Sequence, residues 1–543
     1  MISIRHLAIA AALVILAGSA AAAPLVNAPA GKLEGRREGS LNVFKGIPYV
    51  VPPVGPLRWK PPVTLPRWKG TRLTVESGPA CMQPWRAGTS MYSTDPFPMS
   101  EDCLTLNLWA PAKVKKAPVF FWIHGGNLIG GSNQYPLFIG SKLASSGVIV
   151  VSINYRLGVF GWLAHPGLSA ESPHGVSGNY GLLDQIEALK WVKRNIAAFG
   201  GDPANVTIVG QSAGALSVMY LMSSPAARGL FAKAIAESSY MFSTPELKQA
   251  KEGTPSNEQL GVNLANALQA PDIAALRAMP AKQLMDGSFA SGFVTVGSID
   301  GRILPRQIVD TFAKGEQAPV PLLAGFNAGE VRSLPHLLPP ALATAADYEA
   351  AIRDRYQDLA GEYLRLYPGS NMLESNLAAV RDIIFDWSAK QLVTKQAALG
   401  QPAYLYYWDH GYPAADSAGL HASHSAEVPY VFGVLNHLTK YWPKIPDTAQ
   451  EWALSDAVIG YWTSFARTGR PAAANAPAWP EYGSTASYML FQDVPKVATH
   501  LLPGAFDLNE KAFCRRRASG VQAWDWKVAN AAPKMPPQPA ACN

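Results

Sequence analysis

The stretch Thr207–Met222, "TIVGQSAGALSVMYLM", constrains this chain more than any other. An apolar, β-branched run leads into G-x-S-x-G, and a helix-forming run follows. The pattern predicts a strand, a tight turn at Ser212, and a helix starting at Ala213. A residue on so sharp a turn adopts strained backbone angles. Side chains at 210 and 214 would strike the neighbouring helix and strand, so glycine fills both places. The turn lifts the Ser212 hydroxyl above a sheet. The helix aims its first amides, and the positive end of its dipole, at the same point.

The flanking sequence supplies the sheet. "APVFFWIHGG" holds a strand over Val119–Ile123, and "GVIVVSINYR" another over Val148–Ile153. Both are continuous apolar runs, as expected of strands covered on both faces. Leu182, Ile186, Leu189 and Ile196 repeat at helical spacing until Gly200-Gly201 stops the helix. Val206–Val209, "KAIAESS", "PLLAGFN" and "AYLYYWDH" continue the alternation. Strands alternating with helices predict an α/β fold with a largely parallel, doubly wound sheet and a site at the carboxyl ends of its strands. Residues 24–70, broken by Pro and Gly, read as an N-terminal β meander. The stretches near 244–320 and 335–400 read as helical insertions above the sheet. The Pro/Ala-rich tail, "AAPKMPPQPAACN", reads as loosely packed. With no repeat or long linker, residues 24–543 are expected to form one domain.

Residues 1–23 read as a secretory signal peptide. Arg5 and His6 precede an apolar run from Leu7 to Ala17, then small residues with A-x-A cleavage options. Eleven apolar residues are too few for a membrane span. Cleavage falls between Ala20 and Pro24, and the product is expected to be exported. Export and an even cysteine count argue for disulfides. Cys81, Cys103, Cys514 and Cys542 allow three pairings, and short loop closure favours Cys81–Cys103 and Cys514–Cys542. The formal net charge of +7 is dispersed. Its one dense run, Arg515–Arg517, reads as a solvated helix face, and no basic stripe points to nucleic acid.

A serine hydroxyl is a weak nucleophile at neutral pH. It needs a general base, a carboxylate to orient that base, and donors for an oxyanion. "FFWIHGGN" supplies backbone donors at Gly125, Gly126 and Asn127, with His124 structural. The base follows the acid in chain order, which leaves His410, His421, His424 and His437 at a comfortable distance past "FNAGE", and His500 near the C-terminus.

Several ordered segments resolve that choice by resemblance. "VFKGIPYVVPPVGPLRWKPP", "EDCLTLNLWAP", "GNYGLLDQIEALKWVKRNIAAFGGDPANVTIVGQSAGA", "GFNAGE" and "HSAEVPYVFG" resemble the type-B carboxylesterases. These α/β hydrolases include the cholinesterases, and the likeness runs from about residue 30 to 530. It implies Ser212 as nucleophile, Glu330 as orienting acid and His424 as general base. It implies an oxyanion hole from the amides of Gly126, Asn127 and Ala213, with Gly125 supporting the loop and Ser238 supporting the acid–base pair. It also implies a Cys81–Cys103 disulfide. The expected function is a secreted serine hydrolase of carboxylic esters, acting on a small-molecule ester through an acyl-enzyme, with no metal or organic cofactor. Gln211 stands where many relatives carry Glu, and Asn127 where a small residue is common, so acetylcholine is not the expected substrate. The alternatives are a catalytically silent recognition protein, or a lipase or amidase using the same triad.

Overall fold

The computed structural model describes residues 22–542 apart from 86, 87 and 89. The expected signal peptide therefore lies, up to position 21, outside the described residues. One eleven-stranded sheet organises the rest. Its strands are β1 (Arg36–Glu38), β2 (Leu41–Pro48), β3 (Thr105–Pro111), β4 (Ala117–Ile123), β5 (Ile149–Ile153), β6 (Gly201–Gln211), β7 (Lys233–Glu237), β8 (Leu322–Asn327), β9 (Ala403–Trp408), β10 (Ser487–Phe491) and β11 (Lys496–Thr499). They lie in the order β11-β10-β9-β8-β7-β6-β4-β5-β3-β2-β1. From β10 through β5 every pairing is parallel. The antiparallel pairs are confined to the two ends. The strand order reverses around β4, where crevices at the carboxyl ends of strands form binding sites.

The continuous apolar strands follow from burial on both faces. Val119, Phe121 and Ile123 of β4 enter one core, and Phe120 and Trp122 enter the other. Period-two geometry sends neighbours to opposite sides, so both sides must be apolar. Helix α1 (Tyr180–Asn195) and helix α2 (Ala213–Ser223) cover the first face. Helix α5 (Ala449–Thr468) covers the second through Val458, Tyr461 and Trp462. Helix α1 passes into a short 3-10 turn that ends at Gly200, whose φ of 88° suits glycine. Among the insertions, helices α3 (Met372–Arg381) and α4 (Trp387–Ala398) are joined by a π-helical turn over Asp382–Asp386.

The disulfides pair Cys81 with Cys103 and Cys514 with Cys542. Two expectations are corrected here. Of Arg515–Arg517, only Arg517 faces solvent, and the other two are buried. On helix α6 (Ala505–Ser519), Arg515 grips Asp358 with two bonds of 2.7 Å. Arg516 is fully buried, its guanidinium 5.4 Å from the Trp524 ring and 3.5 Å from Asp525. Arg517 pairs with Asp310. The tail is not loosely packed either. Within it Ala532 and Met535 are buried, and the Met535 amide donates to the Arg355 carbonyl at 2.7 Å. Composition misled in both cases because the partners lie 150 or more positions away for most of these contacts, for example |i−j| of 157 for Arg515 and Asp358.

Candidate active site

Strand β6 ends at Gln211, and Ser212 caps helix α2 with φ 59° and ψ −124°. That conformation is sparsely populated for a side chain-bearing residue. The surroundings hold it: the Ser212 amide donates to the Glu237 carbonyl at 2.9 Å, and Leu216 returns a bond to the Ser212 carbonyl at 2.9 Å. A Cβ at Gly210 would sit 2.4 Å from the Gly214 backbone, and one at Gly214 would sit 2.1 Å from the Ile123 carbonyl oxygen. Both glycines are required by close approach, as the sequence pattern anticipates.

Glu330 follows β8, and His424 lies in the segment after β9. The two strands are neighbours, and the loops leaving them are stitched together. Gly329 donates to the Ala422 carbonyl at 2.8 Å, and the Asn327 side chain donates to the Ser423 carbonyl at 2.8 Å. Fully buried Glu330 accepts from the Asn327 amide at 2.9 Å through one oxygen and is hydrogen-bonded to Nδ1 of His424 through the other. The Phe385 ring lies 5.4 Å from the His424 ring. Tyr92 donates to the His424 carbonyl at 2.7 Å.

Ser212 and His424 line one cavity of about 270 Å³, together with Gly125, Gly126 and Asn127. Gly126 has φ 107° and Asn127 φ 57°, so the loop turns sharply here. A Cβ at Gly125 would come within 3.1 Å of the Ser212 Cβ, so this loop lies directly against the serine. Ala213 opens helix α2, and its N–H has no carbonyl one turn back to pair with. The geometry thus gathers a raised hydroxyl, an imidazole braced by a buried carboxylate, and helix-end and loop amides.

Comparisons with known proteins give the family. A model of the carboxylesterase family matches residues 22–507. The chain belongs to the carboxylesterase family. It is 36% identical to a fumonisin B1 esterase of Sphingopyxis macrogoltabida over 472 residues, 85% of each chain. It is 35% identical to a para-nitrobenzyl esterase of Bacillus subtilis, covering 84% of this chain and 92% of that one. A solved PNB esterase superposes with a TM-score of 0.78 at 32% identity, covering 90% of this chain and 99% of that one. The protein is a carboxylic ester hydrolase with the α/β-hydrolase fold.

His336 also lines the cavity of this carboxylesterase, whereas His421 and His124 sit elsewhere. His421 is half-exposed between Asp416 at 2.7 Å and Asp409 at 3.3 Å, and these bonds raise its pKa. His124 is buried, stacks on Tyr155 at 4.6 Å, and burial lowers its pKa to about 4. The buried Ser238 hydroxyl bonds to neither Glu330 nor His424, and Ser238 instead ties β7 to β8 by donating its amide to Gly325 at 2.8 Å. Glu427 is buried and accepts from the Asn327 side chain at 2.5 Å. Burial, and then the charge of Glu330, raise its pKa. Glu237 accepts from Trp462 at 2.6 Å and is raised first by burial, then by Glu427. Tyr92, Phe385, Tyr240 and Trp526 complete the site without any local motif to announce them.

Proposed function

We propose that Ser212, His424 and Glu330 carry the esterase reaction. His424 takes the Ser212 proton through Nε2 while its Nδ1 is held by Glu330. The serine oxygen attacks the ester carbonyl, and the oxyanion is met by the amides of Gly126, Asn127 and Ala213. His424 then gives the proton to the departing alcohol. Water repeats the sequence on the acyl-enzyme and releases the acid. The single observation that carries this reading is the buried Glu330–His424 hydrogen bond at a cavity that His424 shares with Ser212.

The cavity favours neutral, apolar esters. Leu137, Phe138, Ile384, Phe385, Val428 and Leu438 line it, and no Lys, Arg, Asp or Glu does among the described residues. A charged group there would lose its hydration without an ionic partner. A p-nitrobenzyl ester is the first substrate to try. The leader expected of residues 1–23 and the two disulfides support export. The test is covalent: an organophosphate should add once, to the peptide bearing Ser212, and abolish ester hydrolysis. Labelling elsewhere, or inhibition without labelling, overturns the assignment.

A further inference from the structure

A second, larger cleft of about 710 Å³ lies beside the catalytic cavity. The two share a wall made by Asn127, Tyr240, His336, Leu337 and Trp526. The cleft is apolar along Leu338, Phe293 and Val296, and its mouth exposes Phe289 and Val294, 66% and 50% accessible. Exposed large apolar groups around a concavity mark a binding surface.

Trp526 is the unusual part of that wall. It comes from the chain after helix α6, beyond the last residue matched to the family. Its ring packs edge-on against Tyr240 at 5.2 Å and Phe242 at 5.3 Å. Its buried indole N–H has no hydrogen-bond partner among the described residues, and packing holds the ring. The backbone beside it is pinned. Trp524 and Ser243 exchange two bonds of 2.9 Å, and Trp524 lies on the buried Arg516 guanidinium. Cys514–Cys542 closes the segment from the far side. A rigid backbone thus presents one large ring between two apolar spaces.

We propose that the cleft behind Trp526 is a second subsite of the catalytic centre, taking the long or bulky apolar arm of an ester, and that Trp526 sets how far that arm extends. The inference rests on the serine-esterase reading above. Removing the indole would join the two spaces, and apolar burial of each added methylene would then favour longer substrates.

The test compares Trp526→Ala, Trp526→Phe, Thr295→Trp and the Trp526→Ala/Thr295→Trp double variant with the parent. Thr295 lines the cleft and not the catalytic cavity, and a tryptophan there would fill it. Active sites are counted by organophosphate titration. The readout is the ratio of kcat/KM for a long or bulky ester to that for p-nitrophenyl acetate. One series varies the acyl arm of p-nitrophenyl esters, and the other varies the alcohol arm of acetates. In one series Trp526→Ala should raise the ratio about tenfold or more, Trp526→Phe should raise it less, and Thr295→Trp should cancel the gain. The series that responds identifies the arm. A ratio unmoved by Trp526→Ala in both series, or a gain that Thr295→Trp leaves intact, overturns the proposal. If Trp526→Ala yields no titratable protein, Trp526→Phe must raise the ratio and Thr295→Trp must cancel that gain in the Trp526→Phe background, and failure of either overturns it. A parent enzyme with no titratable Ser212 defeats the serine-esterase reading instead, whereas full titration with unchanged ratios defeats only the subsite.

Discussion

The side-chain amide nitrogen of Gln211 lies 3.2 Å from Nε2 of His424. It also lies 3.5 Å from Nδ1, so it rests over the imidazole ring rather than along the in-plane lone pair of either nitrogen. Gln211 thus sets a neutral amide against the imidazole that takes the serine proton in the proposed mechanism.

Gln211→Glu places a carboxylate at that position. Its negative charge would favour the imidazolium, which cannot act as a base. The acidic limb of kcat/KM against pH should move to higher pH by about one unit, with the plateau reached later. A full pH profile of parent and variant checks this, and a limb that stays in place or moves to lower pH contradicts it.

Glu330→Gln keeps the size of the orienting group and removes its charge. The imidazolium formed during attack loses its partner, and the preferred ring tautomer changes. Turnover should fall about ten-thousand-fold, with much less effect on KM. Steady-state kinetics with p-nitrophenyl acetate measure the split, and a loss below about a hundredfold would assign Glu330 a structural part only.

Glu237 and Glu427 are buried together beneath the site, and burial raises both carboxyls. A carboxyl raised by folding is protonated alike in folded and unfolded chains at low pH. Its cost appears as pH climbs above the ordinary glutamate value of about 4.3. Glu237→Gln keeps an oxygen for Trp462 and removes the titration. The variant should match the parent in Tm near pH 4 and exceed it increasingly toward pH 8. Thermal unfolding across that range decides the point.

The Cys81–Cys103 bridge, with a sequence separation of 22, encloses Tyr92, whose hydroxyl supports the His424 backbone. Replacing both cysteines by serine should cost about 3 kcal/mol of stability. It should also lower kcat, because the loop carrying Tyr92 gains freedom. Denaturant unfolding and kinetics on the same preparation separate the two effects.

The α/β architecture, the elbow at Ser212 and the positions of Glu330 and His424 were legible because each depends on local chemistry or ordered motifs. Gly210 and Gly214 record a close backbone approach, and apolar runs record strands buried on two faces. The deeper layer was not legible. Trp526, Tyr92 and Phe385 reach the cavity from segments with no signature of their own, and Phe385 does so from a π-helical turn. The solvated reading of Arg515 and Arg516 and the loose reading of the tail failed for the same reason.

What the sequence determined by itself was the strand–turn–helix that strains Ser212 and the apolar periodicity that builds a parallel sheet, since both are fixed by residues a few positions apart. What only the tertiary structure decided was the Glu330–His424 contact, the Gln211 amide resting on that imidazole, and the C-terminal tryptophan dividing two cavities. Those depend on which distant loops the sheet order brings side by side, and short-range spacing carries no record of that.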